Sequence, residues 1–386
     1  MKPKVIVIDD DSDMADFVRD AVIAQGFDAI SMDRPEDFLT SRSRDCQILI
    51  LDLFMPGVDG IEILRFLAKE KTDILLILMT GKDRAILSSA REMAYELNLT
   101  VLGTLEKPFK LAELEEIMNR YIGKERKESQ KLPTVAELEN AIAEKQLSVA
   151  YQPQVKITDR SVVGFEALAR WRHPTKGAIP PGYFIGLAEQ HGLISEIFDL
   201  ITKIAIHQCG KWHSAGLEHS ISINLSPKNL VDLSLPSKLE KMARDSKIKT
   251  RDIVLEVTET AVTKDVAKHI EILTRLRMKR FNLAIDDFGT GHSSLQQLIK
   301  VPFNELKIDQ VFTKYLDSDA ECQTITEVSI LLAKKLGMRV VAEGIETEIV
   351  WNKLRKFNCD IGQGYWIGKP MRAEELDSWM TSWSSA

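Results

Sequence analysis

The sequence predicts two α/β units in tandem, a doubly wound five-stranded parallel sheet followed by a (β/α)8 barrel. Three observations predict this. Short apolar runs alternate with stretches that repeat apolar residues at helical spacing, and they do so in two successive series. The second series offers eight strand candidates, the number that closes a barrel. Between the two lies GKERKESQK, residues 123–131, of mixed charge and without an apolar face, which reads as a solvated linker. The length of 386 residues suits two domains, placed at 1–122 and 134–386 with the linker at 123–133.

In the first domain, residues 5–8, 46–51, 74–79 and 100–105 read as buried strands. Residues 14–25 and 61–69 read as amphipathic helices, and 111–121 closes the unit as another. In the second domain the strand candidates are 149–154, 162–168, 220–225, 253–257, 283–285, 305–308, 339–342 and 361–366. Helical patterns separate most of them, among them 197–212, 266–279 and 324–336.

Composition narrows the function. A hydrophobic fraction of 44% and a charged fraction of 28% are ordinary for a folded protein. The net charge of −6 argues against a broad phosphate-binding face, so no DNA partner is expected. Cys46, Cys209, Cys322 and Cys359 lie far apart without zinc-site spacing and read as buried thiols in a reducing cytoplasm. The opening MKPKVIVIDDD is not expected to be a signal peptide, and no run of ~18 apolar residues occurs, so no membrane attachment is expected.

In the first domain Asp9 and Asp10 end the first strand, Asp52 the third and Thr80 the fourth, while Lys107 follows the fifth. Strand ends on one sheet edge converge, so three carboxylates, a hydroxyl and an ammonium meet there. Such carboxylates suit Mg²⁺. With VIDDDSDM, LDLFMPGVDG, LMTG and LEKPF, the first 120 residues or so resemble the flavodoxin-like receiver domains of two-component response regulators. The resemblance implies Asp52 as phosphoryl acceptor from a sensor histidine kinase, and Asp10 and Asp52 as Mg²⁺ ligands assisted by Asp9. It implies Thr80 as the hydroxyl meeting the phosphoryl group and Lys107 as its counter-charge. Thr104 stands where many receivers carry an aromatic switch residue, which bears on coupling to the output surface.

In the second domain each strand ends in a polar group: Glu166 in GFEALAR, Asn224 in ISINLSP, Glu256 in IVLEVTET, and Asp286 with Asp287 in LAIDDFGTG. Lys307 in ELKIDQ, Glu343 in VVAEGIET and Gln363 in IGQGYW continue the series. The C-terminal mouth of a barrel gathers such groups into one solvent-facing cavity. Oxygen donors without paired His or Cys favour Mg²⁺ or Mn²⁺, and two such ions relieve the repulsion of so many carboxylates. Two-metal phosphodiester hydrolysis follows as the expected chemistry.

From about residue 134 onward the sequence resembles EAL-type phosphodiesterase domains, named for the tripeptide standing here as Glu166, Ala167 and Leu168. That resemblance implies cyclic di-GMP as substrate, linear pGpG as product, and a first barrel strand, around residues 151–155, antiparallel to the rest. It implies metal binding by Glu166, Asn224, Glu256, Asp286 and Asp287, with Lys307 orienting the attacking water and Glu343 either a further metal-site acid or the general base. Gln152 is implied at a guanine edge, Arg170 at the substrate phosphate or ribose, and Gln363 in the pocket wall. Glu259 is implied to hold the DDFGTGHSS loop, in which Gly289 and Gly291 permit a tight turn. His292 stands where tyrosine is more usual, and Gly186 where proline is. Homo-oligomers, dimeric or tetrameric, are expected by the same analogy. Two other readings share the architecture: a barrel that senses cyclic di-GMP without cutting it, and a phosphotransfer protein whose barrel is a passive scaffold.

Overall fold

The computed structural model describes residues 2–40, 46–70, 72, 74–81, 84–97, 99–128, 132–258, 266–289, 298 and 300–385. The chain divides into two compact units, Met1–Leu132 and Pro133–Ala386.

In the first unit β1 (Lys4–Ile8), β2 (Asp28–Met32), β3 (Ile48–Asp52), β4 (Leu75–Thr80) and β5 (Thr100–Glu106) form one parallel sheet in the order β2-β1-β3-β4-β5. Alternation along the strands makes two cores. Ile6, Ile8, Leu49 and Leu51 pack on one face, while Val5, Val7, Ile48 and Ile50 pack on the other. Strand β2, the fifth strand the sheet required, was not placed from the sequence because DAISM, at the sheet edge, buries only Ala29 fully. The helix expected over 111–121 instead spans Leu111–Glu128 and takes in most of the residues assigned to the linker. Beyond Gly123 those residues are Lys, Glu and Arg, which sustain a helix without an apolar face.

In the second unit β6 (Leu147–Lys156), β7 (Val162–His173), β9 (Ser220–Asn224), β10 (Ile253–Thr258), β11 (Asn282–Phe288), β12 (Glu305–Ile308), β13 (Arg339–Ala342) and β14 (Ile361–Gly362) close an eight-stranded ring, with β8 (Gly177–Ile179) added as a hairpin on β7. Strand β6 runs antiparallel to both its ring neighbours, and the other ring pairings are parallel. The strand expected over 361–366 stops at Gly362. Gly364 explains the stop: the chain lies so close to Ile345 that a Cβ there would sit 2.2 Å from its backbone N and O.

Period two again sorts the side chains. Phe165, Ala167, Ile221, Ile223, Leu255, Val257, Leu306 and Ile308 belong to the apolar core beneath the helices. The alternate positions, Gln152, Gln154, Glu166, Ser222, Glu256, Asp286, Glu305 and Lys307, are polar yet buried, so this ring is filled by charge, amide and hydroxyl where most barrels hold branched apolar side chains. Among the cysteines, Cys46, Cys209 and Cys359 are buried as expected, whereas Cys322, in the first turn of the helix Ala320–Lys335, is only half-buried. Among the described residues no helix is long and apolar enough to cross a membrane.

Candidate active site

In the first unit Asp9, Asp10 and Asp52 each offer an oxygen, all within 4.8 Å of one another, the only such acidic group among the described residues. Lys107 Nζ lies 2.6 Å from Asp9 Oδ2 and 2.6 Å from Asp52 Oδ2, and the backbone N–H of Phe54 donates to Asp52 Oδ1 at 3.1 Å. Burial raises the Asp9 carboxyl above its usual range against the pull of Lys107. Thr80 is fully buried at the end of β4, and its carbonyl accepts from the Lys107 N–H at 2.7 Å. The five expected residues therefore occupy one sheet edge, and the three oxygens suit a hard cation.

The barrel site is built around Lys307, which is 1% exposed. Its ammonium lies 2.6 Å from Glu343 Oε1, 2.8 Å from Glu256 Oε2, 3.1 Å from Asp286 Oδ1 and 4.0 Å from Glu166 Oε1. Those four carboxyls come from β7, β10, β11 and the residue after β13. Asn224 Nδ2 donates to Glu166 Oε1 at 2.8 Å, and Gln363 Nε2 donates to Glu166 Oε2 at 2.5 Å and to Gln152 Oε1 at 3.1 Å. These groups were expected on a solvent-facing rim. They lie deeper: Glu256 is 1% and Glu166 6% exposed, because the inward positions of a narrow ring are shielded by their own neighbours.

Burial and crowding push the carboxyls apart. Burial raises Glu256 well above the carboxylate range and lifts Glu343 to about 8, Lys307 opposing both and the neighbouring acids adding to them. Glu166 ends below its usual value. Burial alone would raise it, but Lys307, Gln363 and Asn224 together outweigh that effect. Lys307 is held firmly charged, since its four acids outweigh its burial. Asp287, with a left-handed φ of 56°, rises to about 7 through burial, Asp286 and a hydrogen bond with Asp309.

A cavity of about 790 Å³ opens above these groups, within the ~300–1,000 Å³ range of small-molecule sites. Gln152, Arg170 and Gln363 line it, as do Asn224, Lys307 and Glu343. Arg170 is steadied by donating to the Ala169 carbonyl at 2.9 Å. Asp287 does not line the cavity, and Glu259, Gly291 and His292 lie outside the described residues. A Cβ at Gly186 would meet nothing within 4 Å. The donors fit a hard divalent cation: all carry oxygen, and Glu256 Oε1 is buried without a hydrogen-bond partner. Two further polar residues were missed by the sequence reading: Gln154 and Ser222, buried behind Gln363. Their signal was present as the polar i, i+2 pairs of YQPQ and of SIN in β9.

A family model described as EAL domain matches residues 135–370, and one described as response regulator receiver domain matches residues 5–119. The chain belongs to the EAL domain family. Its receiver and EAL domains together resemble the cyclic di-GMP phosphodiesterase RocR of Pseudomonas aeruginosa, 30% identical over 329 residues that cover 84% of each chain. The EAL domain also superposes on the PaMucR phosphodiesterase solved in complex with c-di-GMP, with 35% identity and a TM-score of 0.60 over 63% of this chain and 98% of that one. An EAL domain protein from Listeria monocytogenes is 27% identical, with a TM-score of 0.57 over 64% of this chain and 97% of that one.

Proposed function

We propose that this chain hydrolyses cyclic di-GMP to linear pGpG with two divalent cations, Mg²⁺ or Mn²⁺, and that phosphorylation of Asp52 by a sensor histidine kinase sets the rate. The coarser statement follows from its domains and relatives: the chain is a response regulator whose output domain is a cyclic di-GMP phosphodiesterase. One observation supports the finer reading above the others. Four carboxyls, from β7, β10, β11 and the residue after β13, surround one ammonium at the floor of a cavity of small-molecule size.

Glu166, Asn224, Glu256, Asp286 and Asp287 are the residues that would hold the cations. Two divalent ions, when bound, neutralise the attacking and leaving oxygens of an in-line phosphoryl displacement. Lys307 orients the attacking water by keeping its charge on the cavity floor. Glu343, poised at about 8, can exchange a proton near neutral pH. Arg170 presents a guanidinium to a substrate phosphate or ribose and Gln152 an amide to a guanine edge. In the receiver, Asp9 and Asp10 would hold Mg²⁺ beside Asp52, with Thr80 and Lys107 meeting the phosphoryl group.

A homo-oligomer, dimer or tetramer, also belongs to this reading. Val328 and Leu331, one turn apart on the helix Ala320–Lys335, are 58% and 57% exposed, an apolar pair suited to a second copy.

The test is to incubate the protein with cyclic di-GMP, with and without Mg²⁺ and a small phosphodonor, and to separate the products by chromatography. Metal-dependent pGpG that responds to the phosphodonor is expected. Unchanged substrate would leave a sensor or a scaffold.

A further inference from the structure

Gln154 and Ser222 do not line the cavity, yet both are buried, at 3% and 0% exposure. Ser222 Oγ donates to Gln154 Oε1 at 3.4 Å, and Gln154 Nε2 donates to Gln363 Oε1 at 3.0 Å. Gln363 Nε2 then donates to Gln152 Oε1 and Glu166 Oε2, and Gln152 Nε2 ends the chain on the carbonyl of Gly368 at 3.2 Å.

The direction of this chain is fixed at its far end. A backbone carbonyl and an ionised carboxylate only accept hydrogen bonds. Gln152 must therefore turn its NH2 to Gly368 and its oxygen to Gln363. Gln363 must in turn present its NH2 to Gln152 and Glu166, leaving its oxygen facing Gln154. That oxygen is buried, and among the described residues the Gln154 NH2 alone donates to it. Without that donor the Gln363 oxygen is left buried and unsatisfied, which weakens the hold on the orientation that Glu166 and the Gln152 oxygen already favour.

We infer that Gln154, backed by Ser222, is a positioning residue: by satisfying the buried Gln363 oxygen it steadies the amide in the orientation that serves both Glu166 and Gln152. The activity arm of this inference rests on the proposed phosphodiesterase reading; the metal-binding arm does not. Groups that orient a metal ligand from behind typically change metal affinity or activity by ~10–100-fold when removed.

The test uses the full-length protein with Gln154→Met, which keeps length and removes both hydrogen bonds, and Ser222→Ala as a milder second variant. Mg²⁺ binding without substrate is measured by calorimetry in an Asp9→Asn, Asp10→Asn background, so that the receiver site does not contribute; turnover of cyclic di-GMP is measured as kcat and KM, and folding by thermal unfolding. The expected result is a folded Gln154→Met protein whose Mg²⁺ affinity and kcat both fall by ~10–100-fold, with a smaller change in the same direction for Ser222→Ala. A Gln154→Met protein with a lower melting temperature but unchanged Mg²⁺ affinity and kcat would overturn the inference, since Gln154 would then be packing alone. If Gln154→Met does not fold, Ser222→Ala carries the decision on the same readouts. If the natural sequence fails to hydrolyse cyclic di-GMP, the functional reading falls, and the Mg²⁺ calorimetry still decides the role of Gln154.

Discussion

Replacing Lys307 with methionine keeps the side chain's reach and removes its charge, and the structure sets the size of the effect. The ammonium has three carboxylate oxygens within 3.1 Å and a fourth at 4.0 Å. At an effective dielectric of ~20, two unit charges ~3 Å apart attract by about 5–6 kcal/mol, much of which desolvation offsets. Removing one member of such a buried set destabilises by ~3–5 kcal/mol, because the acids left behind are uncompensated. For a unit of this size that lowers the melting temperature by roughly 6–20 °C.

The loss depends on pH. Glu343 already sits at about 8 with Lys307 present, and without it the acids rise further. A carboxyl whose pKa is higher in the folded than in the unfolded state favours folding at low pH, and that contribution disappears as pH climbs through the folded value. The deficit is therefore deepest above about pH 8 and shrinks toward the unfolded glutamate pKa of ~4.3. Turnover in Mg²⁺ falls by ~10²–10³, the usual effect of losing a preorganised charge stabiliser. Affinity for cyclic di-GMP, read by calorimetry in Ca²⁺, changes little. A folded Lys307→Met protein with kcat within about threefold of the natural sequence would refute this assignment.

Three further outcomes are expected. Ca²⁺ in place of Mg²⁺ inhibits turnover, since its bonds are longer and its ligands more numerous; equal rates in the two ions would remove that geometric argument. Gln152→Ala weakens substrate affinity by about tenfold and leaves kcat nearly unchanged, and the reverse pattern, seen in steady-state kinetics, would exchange its role with that of Lys307. Asp52→Asn abolishes any response of the hydrolysis rate to a phosphodonor, so a response that persists in this variant would place the phosphorylation elsewhere.

What could be read in the sequence was a charge set against an apolar run. Glu166, Glu256 and Lys307 were expected to end their strands and instead lie within them, yet the ring brings all three together. Asp9, Asp52 and Lys107 were legible for the same reason. Gln154 and Ser222 were not, because an uncharged polar residue within a strand looks like an ordinary outward position until the ring fixes which parity faces in. The depth of the barrel site was also hidden: Lys307 at 1% exposure reflects the width of the ring and not its own neighbours in sequence. The helical continuation to Glu128 was missed because it lacks the apolar periodicity on which the reading relied, and charged residues with good helix propensity leave no such trace.

The antiparallel strand has a consequence for the order in which the site is made. Gln152 and Glu166 face each other across the β6–β7 pairing, fourteen residues apart in the chain, within a hairpin of neighbouring strands. Such local contacts close at little entropic cost and early. Gln363 arrives only when β14, two residues long, docks its Ile361 and Gly362 against Lys156 and Val155 of β6. Gln152 and Glu166 are thus written into a hairpin and Gln363 into the last seam of the ring. During refolding, a signal from the hairpin should precede the return of activity, which keeps time with the closing of that seam.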